Sequence, residues 1–157
     1  MFSSLFLSKN QKLVKTWKKD HQKIILLTHK VIAEYSKNNH KKAKKVLKSL
    51  NNLVIDHITD ENIEFYKLQK DNNRISTKSK KHIEEFIETF KDTKLSLMNF
   101  LTKYTRDSVP LDDEFFNTLN VLAEVLVERI DFEEKNLYAL LDISKEEEKL
   151  EQLRRGF

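Results

Sequence analysis

Five residues of metal-binding type interrupt the apolar positions of the sequence at helical spacing: His21, His57, Glu61, His82 and Glu133. His57 and Glu61 are four residues apart, so a helix places both side chains on one face. Imidazole and carboxylate groups are ligands suited to iron, manganese and zinc. Because buried charges are costly unless they are paired or bound to a metal, the pattern predicts either a metal site or a buried ion-pair cluster.

Three further charged residues accompany this set. Arg129 precedes Glu133 by four residues, and the two fall between Leu126 and Leu137 on one helical face. In the ion-pair alternative, Arg129 pairs with Glu61 and Glu133. Asp60 and Glu134 flank the same positions, where they are expected to orient the ligands or to serve as secondary ligands.

The composition limits the elements that could position these groups. The 157 residues include one glycine, one proline and no cysteine. Strand-rich folds joined by tight turns, a glycine-rich phosphate loop and a Rossmann fingerprint are therefore excluded. Without cysteine, disulfides, thiolate zinc sites, iron–sulfur clusters and a cysteine nucleophile are excluded as well. The composition predicts an all-α protein whose metal site is built from imidazole and carboxylate alone.

Apolar residues recur every three, four or seven positions over four long segments, about 8–37, 41–70, 76–104 and from 111 to 143. Polar breaks separate these segments, and the sole proline lies in the third break. Long helices with short connections predict an up-down-up-down four-helix bundle. The residues expected to face inward are Leu13, Trp17, Ile24, Leu27, Val31, Tyr35, Ala43, Leu47, Leu50, Val54, Phe65, Leu68, Phe86, Phe90, Leu97, Phe100, Tyr104, Phe115, Leu119, Leu122, Leu126, Ile130, Leu137 and Leu140.

The organisation predicted from these segments is one bundle domain over residues 1–143, which includes a short N-terminal segment. A charged, helical tail follows at 144–157. No apolar run reaches the length of a membrane span, and the start of the chain lacks the features of a secretory signal. We therefore expect a cytoplasmic protein without membrane association. The formal charge of +4 is interpreted as solvated helix surface, and nucleic acid is not an expected partner.

Residue counts from the predicted helix ends bear on whether the five candidate ligands can meet. At 1.5 Å per residue, their positions fall within about 10 Å of one another along the axis of an antiparallel bundle. The sequence therefore predicts that they converge on one site.

The same residues resemble the hemerythrin-like (HHE cation-binding) family. That family has a histidine on helix 1, H-x-x-x-E on helix 2, a histidine on helix 3 and H-x-x-x-E/D on helix 4. His21, the pair His57 and Glu61, His82 and Glu133 follow this order, and Lys135-Asn136-Leu137-Tyr138 resembles the closing motif of the family. The resemblance covers about residues 10–142.

This resemblance implies a non-haem iron site of one or two ions, with Glu61 and Glu133 as bridging carboxylates. It also implies binding or sensing of dioxygen or another diatomic ligand such as nitric oxide, or sensing of iron or redox state.

Two residues depart from the pattern. Arg129 stands where helix 4 should supply a histidine, and Phe86 stands where oxygen carriers have a second histidine on helix 3. Arg129 is a fixed cation that could replace the charge of a metal ion beside Glu133. A sensor, a mononuclear site or a metal-free bundle is therefore favoured over a reversible oxygen carrier.

A fainter resemblance concerns anti-sigma regulators of the Rsd/AlgQ type, which are also helical bundles. It depends on Leu13-Val14-Lys15-Thr16-Trp17, on residues 129–134 and on the chain length. It implies a metal-free interaction protein whose partner is a sigma factor.

No nucleophile–base pair can be nominated, so we do not expect an enzyme with independent turnover.

Overall fold

The computed structural model describes residues 8–70, 76–142 and 153–154, apart from the side chains of residues 140 and 142. Four long helices follow one another: α1 (Lys9–Ser36), α2 (His40–Lys70), α3 (Thr77–Tyr104) and α4 (Asp113–Phe132). The described ranges contain no strand, which confirms the predicted all-α bundle. The N-terminal segment 1–7 and most of the predicted tail lie outside the described residues.

The fourth helix differs from its prediction at its end. After α4 the chain continues directly into a π-helical turn, Glu133–Tyr138, and then into a short helix, α5 (Ala139–Asp142). The apolar spacing of the sequence indicated helix over this stretch but did not distinguish π from α geometry. The π turn matters because it contains Glu133.

Contacts between helix ends show that neighbouring helices are antiparallel. The hydroxyl of Tyr35, at the end of α1, donates to Oδ1 of Asp113 at the start of α4 (3.2 Å). At the opposite end of the bundle, Trp17 of α1 packs edge-on against Phe65 near the end of α2. Lys44, near the start of α2, contacts the carboxyl end of α3. The order is therefore up-down-up-down.

The helix ends are formed without glycine. The side-chain hydroxyl of Ser8 accepts a hydrogen bond from the backbone N–H of Gln11, and Oε1 of Gln11 accepts one from the backbone N–H of Ser8. Asp112 caps α4 by accepting from the N–H of Phe115 (2.8 Å). Asn38 adopts a φ of 61° in the turn after α1, a region that asparagine tolerates better than most residues. These caps explain how a chain with one glycine can still turn between helices.

The described buried apolar side chains form two clusters. The first, the turn-end cluster, lies beside the α1–α2 turn and the α3–α4 loop and includes Val31, Leu47, Leu101 and Phe115. The second, the N-terminal cluster, lies around the start of α1 and includes Trp17, Phe65, Ile83 and Tyr138. Along α1, His21 falls between Trp17 of one cluster and Ile24 of the other, so the polar residues of interest separate the two clusters.

The residues predicted to face inward are buried with few exceptions. The partly buried ones are Leu13, Leu27, Leu97, Leu122 and Leu126, and the side chain of Leu140 is not described. Burial of such side chains is the main source of stability for the bundle. Within the described ranges, none of the helices combines the length and the apolar character required to cross a membrane.

Candidate metal centre

Four of the predicted ligands converge between the two apolar clusters. They are His21 of α1, His57 and Glu61 of α2, and Glu133 of the π turn. One donor atom from each lies within 4.8 Å of every other. The residues are 3%, 6%, 1% and 7% exposed, respectively, so the bundle shields this group from water.

The separations between donor atoms fit a shared metal ion. Nε2 of His21 lies 3.1 Å from Nε2 of His57 and 3.3 Å from Oε1 of Glu133. Nε2 of His57 lies 3.1 Å from Oε2 of Glu61. Nitrogen and oxygen ligands about 2.0–2.2 Å from one ion are themselves about 3 Å apart when they occupy adjacent coordination positions. The set of two imidazoles and two carboxylates is also chemically suited to iron, manganese or zinc.

The two histidines are oriented differently. Nδ1 of His57 lies 3.0 Å from Oδ2 of Asp20, and because an ionised carboxylate only accepts, Nδ1 carries the proton. This contact directs Nε2 of His57 towards the cluster. Nδ1 of His21 lies 3.7 Å from Oε1 of Glu134, which is too long for a hydrogen bond, and no other described residue supplies a partner.

Tyr138 lies beside the four candidate ligands, on the side that faces the apolar N-terminal cluster. Its hydroxyl bonds to Oε2 of Glu61 (2.7 Å) and to Glu133, and it lies 3.3 Å from Nε2 of His21. The i→i+5 hydrogen bonding of the π turn allows residues 133 and 138 to face the same site. Sequence reasoning treated Tyr138 only as part of a family motif. The switch from α to π geometry, which brings it to the site, has no signal in apolar spacing.

Burial and neighbouring charges shift the pKa values of the histidines in opposite directions. Burial, reinforced by the proximity of His57, lowers the pKa of His21 to about 4. Burial also acts to lower the pKa of His57, but its hydrogen bond to Glu61 and the adjacent carboxylates outweigh it and raise the pKa. His21 is therefore held in its neutral, metal-binding form at neutral pH.

The two carboxyl groups are shifted in opposite directions as well. Burial acts to raise the pKa of Glu61, but hydrogen bonds with His57 and Glu133, together with the charge of Lys94, hold it well below its ordinary value. Burial and the negative charge of Glu61 raise the pKa of Glu133 well above its ordinary value. A cation bound here would stabilise both groups in ionised form, because its charge reverses the local effect of burial.

Two cations, Lys94 and Arg129, lie beside the four candidate ligands. Nζ of Lys94 lies 3.2 Å from Oε1 of Glu61. The guanidinium of Arg129 lies 3.9 Å from the ring centre of Phe90. Both side chains line a cavity of about 70 Å³ that the four candidate ligands also line.

Sequence reasoning missed Lys94, although a signal was present. Lys94 lies four residues after Phe90 and three before Leu97, so it shares the inward face of α3. The expectation for Arg129 was an ionic role beside Glu133. In the structure, Arg129 stacks on the ring of Phe90 and lines the same cavity as Glu133, and its role as a substitute charge stays a prediction.

The inward position predicted for His82 is wrong. His82 is exposed and lines a separate surface pocket with Phe86 and Phe132. The buried face of α3 follows Ser79, Ile83 and Phe86, and Ile83 takes the place expected for His82. Spacing to Phe86 alone was insufficient because neighbouring positions on a helix are about 100° apart.

The two flanking acids make different contacts, and their predicted role at the candidate ligands stays a prediction. Oδ2 of Asp60 accepts a hydrogen bond from Nε1 of Trp17 (2.9 Å), and Trp17 in turn packs against Tyr138. Glu134 remains near Nδ1 of His21 and is 30% exposed. Asp60 thus acts through the packing around the site, whereas Glu134 faces a ligand directly.

Comparison with known proteins gives one match. The family model described as hemerythrin HHE cation-binding domain matches residues 12–141, which covers every element that contributes to the cluster. No match was found among curated proteins or among solved structures.

Proposed function

Because the chain belongs to the hemerythrin HHE cation-binding domain family, we propose that it binds non-haem iron through His21, His57, Glu61 and Glu133 and acts in the sensing or handling of dioxygen, iron or redox state. The observation that carries this proposal is the buried cluster, whose four donor atoms lie within 4.8 Å of one another. Iron in such a site, when bound, supplies a redox-active centre to which a diatomic ligand can coordinate.

The side chains of this protein would support that chemistry by position and by exclusion of water. Asp20 orients His57, and the hydrophobic residues around Trp17 and Phe65 close the site at one end. The adjoining cavity of about 70 Å³ exceeds the space that a single water molecule needs, so a diatomic ligand can be accommodated beside the cluster.

The proposal is tested by metal analysis of protein purified without oxygen and reconstituted with ferrous iron. His57→Ala removes a candidate ligand, and His82→Ala removes an exposed imidazole as the matched control. We expect bound iron in the wild type and in His82→Ala, and a loss of most of it in His57→Ala. A wild-type chain that stays metal-free, or His57→Ala and His82→Ala binding iron equally, would contradict the proposal.

The metal-free outcome would favour the alternative function, an interaction protein such as a sigma-factor regulator. Co-purification of the tagged full chain with the major sigma factor would then be the direct test.

For the iron proposal, exposure of the reconstituted protein to dioxygen should change its optical spectrum, and His57→Ala should abolish that change.

A further inference from the structure

The two oxygens of Glu61 face two different environments. Oε2 is turned towards Tyr138 and His57, at 2.7 Å and 3.1 Å. Oε1 is turned away from them and lies 3.2 Å from Nζ of Lys94. Glu61 is 1% exposed, so each oxygen depends on these protein partners rather than on bulk water. One oxygen therefore belongs to the candidate metal centre and the other to a tethered ammonium group.

We infer that the centre holds a single metal ion and that the ammonium group of Lys94 takes the place of a second ion on the carboxylate of Glu61. This inference builds on the proposed metal-binding function and specifies how many ions it involves. A carboxylate that bridges two ions gives one oxygen to each. In this chain the second oxygen already has a cation, which is fixed to α3 by its side chain.

The ligand supply around Lys94 also allows only one ion. The cavity beside Lys94 is lined by Phe90, Thr93, Leu97, Leu126 and Arg129, in addition to the cluster itself and its apolar neighbours. The only imidazoles and carboxylates among its described lining residues are the four already assigned to the cluster. A second ion beside Lys94 would therefore have only Glu61 and the hydroxyl of Thr93 as ligands among these residues, and the cations Lys94 and Arg129 would lie next to it.

Electrostatics favours the same conclusion. Lys94 is 22% exposed, so its charge is only partly screened by solvent. A divalent ion placed on Oε1 of Glu61 would be repelled by the Lys94 ammonium group and, more weakly, by Arg129. A single ion on the Oε2 side is instead separated from Lys94 by the carboxylate that both would share.

The number of ions can be measured directly with manganese(II), which has ligand preferences close to those of iron(II). Metal-free full-length protein is titrated with Mn²⁺, and bound ions are counted while electron paramagnetic resonance spectra are recorded. We expect one ion per chain with the spectrum of an isolated Mn²⁺. Two ions per chain with a spin-coupled spectrum would overturn this inference and leave the proposed function standing. No bound ion with either Mn²⁺ or Fe²⁺ would overturn both.

The role of Lys94 is tested by Lys94→Glu, which replaces the ammonium with a carboxylate. Lys91→Glu changes an exposed lysine one turn earlier on the same helix and serves as the matched control. We expect Lys94→Glu to bind two coupled ions and Lys91→Glu to bind one. If circular dichroism shows that Lys94→Glu does not fold, Lys94→His is used in its place, because it also replaces the ammonium group with a metal-binding side chain. A folded Lys94 variant that gains a ligand but still binds only one ion would overturn the assignment.

Discussion

Nδ1 of His57 and Oδ2 of Asp20 lie 3.0 Å apart, so α1 supplies a carboxylate that orients an imidazole of α2. Both groups are shielded, with side chains 6% and 24% exposed. The contact engages Nδ1 of His57 with Asp20, so Nε2 is the ring nitrogen that faces the cluster. Carboxylate–histidine pairs of this kind increase the basicity of the metal-binding nitrogen.

We therefore expect Asp20→Asn to weaken metal binding by about 10–100-fold, the usual effect of losing such an orienting carboxylate. The affinity for Mn²⁺ or Fe²⁺ can be measured by anaerobic calorimetry. Asp56→Asn, which changes an exposed carboxylate next to His57 in the sequence, is the control and should bind as the wild type does. Equal affinities for the two variants would show that Asp20 does not orient the ligand.

Tyr138 provides a second prediction, since its buried hydroxyl bonds to both carboxyl groups of the site. Tyr138→Phe removes the hydroxyl that the two buried carboxyl groups share, which should lower the free energy of unfolding of the metal-free protein by about 1–3 kcal/mol. Saturating metal should recover much of the loss, because an ion bound only to the folded state stabilises it. Urea unfolding with and without metal measures both effects.

The matched control for that experiment is Tyr66→Phe. Tyr66 is 62% exposed, so loss of its hydroxyl should change the stability by less than about 0.5 kcal/mol. A Tyr138→Phe protein as stable as this control would mean that the hydroxyl of Tyr138 contributes nothing to the metal-free site.

The fold was largely predictable because its signals are local and repeated. Apolar periodicity locates each helix to within a few residues, and the scarcity of glycine and proline leaves no competing fold class. The π turn was not predictable on these grounds. In this turn, the side chain of Tyr138 contacts His21 and Glu61, which are distant in sequence. Such tertiary contacts leave no trace in local apolar spacing.

The site was predictable in part for a related reason. His21, His57, Glu61 and Glu133 each replace an apolar residue on a buried face, which is visible in the sequence. His82 was predicted to face inward, but the next residue, Ile83, occupies the buried face and His82 is exposed. A shift of one residue along a helix is enough to make this difference. Lys94 was missed because a lysine on an inward face can extend its charged end along apolar surface to water, so its pairing with Glu61 is a tertiary property.

The loop between α3 and α4 gives a third prediction, which concerns stability alone. Nζ of Lys44 donates to the backbone carbonyls of Tyr104, Arg106 and Val109, at 2.6, 2.7 and 2.5 Å. These carbonyls belong to the end of α3 and to the loop, beyond the regular pairing of the helix, and that of Arg106 also accepts from the N–H of Val109. We expect Lys44→Met to lower the free energy of unfolding by about 1–2 kcal/mol, since charged hydrogen bonds contribute more than neutral ones.

Lys45→Met is the control for this variant, because the side chain of Lys45 is exposed. It should change the stability by less than about 0.5 kcal/mol. The free energies of unfolding come from urea titrations of the two variants. If both variants unfold at the same urea concentration as the wild type, the three contacts of Lys44 do not stabilise the loop.

The separation of the two apolar clusters by the polar site leads to the last prediction. Phe115 is fully buried in the turn-end cluster, where its ring stacks 5.5 Å from that of Phe100. Phe115→Ala should lower the free energy of unfolding by about 3–5 kcal/mol, because it leaves a cavity in that cluster. The number of bound ions should stay unchanged wherever the variant remains folded, since Phe115 contributes nothing to the cluster of candidate ligands. Metal content and urea unfolding, measured on the same preparation, separate the two effects. A folded variant that loses its metal would show that packing at the turn end controls the geometry of the site.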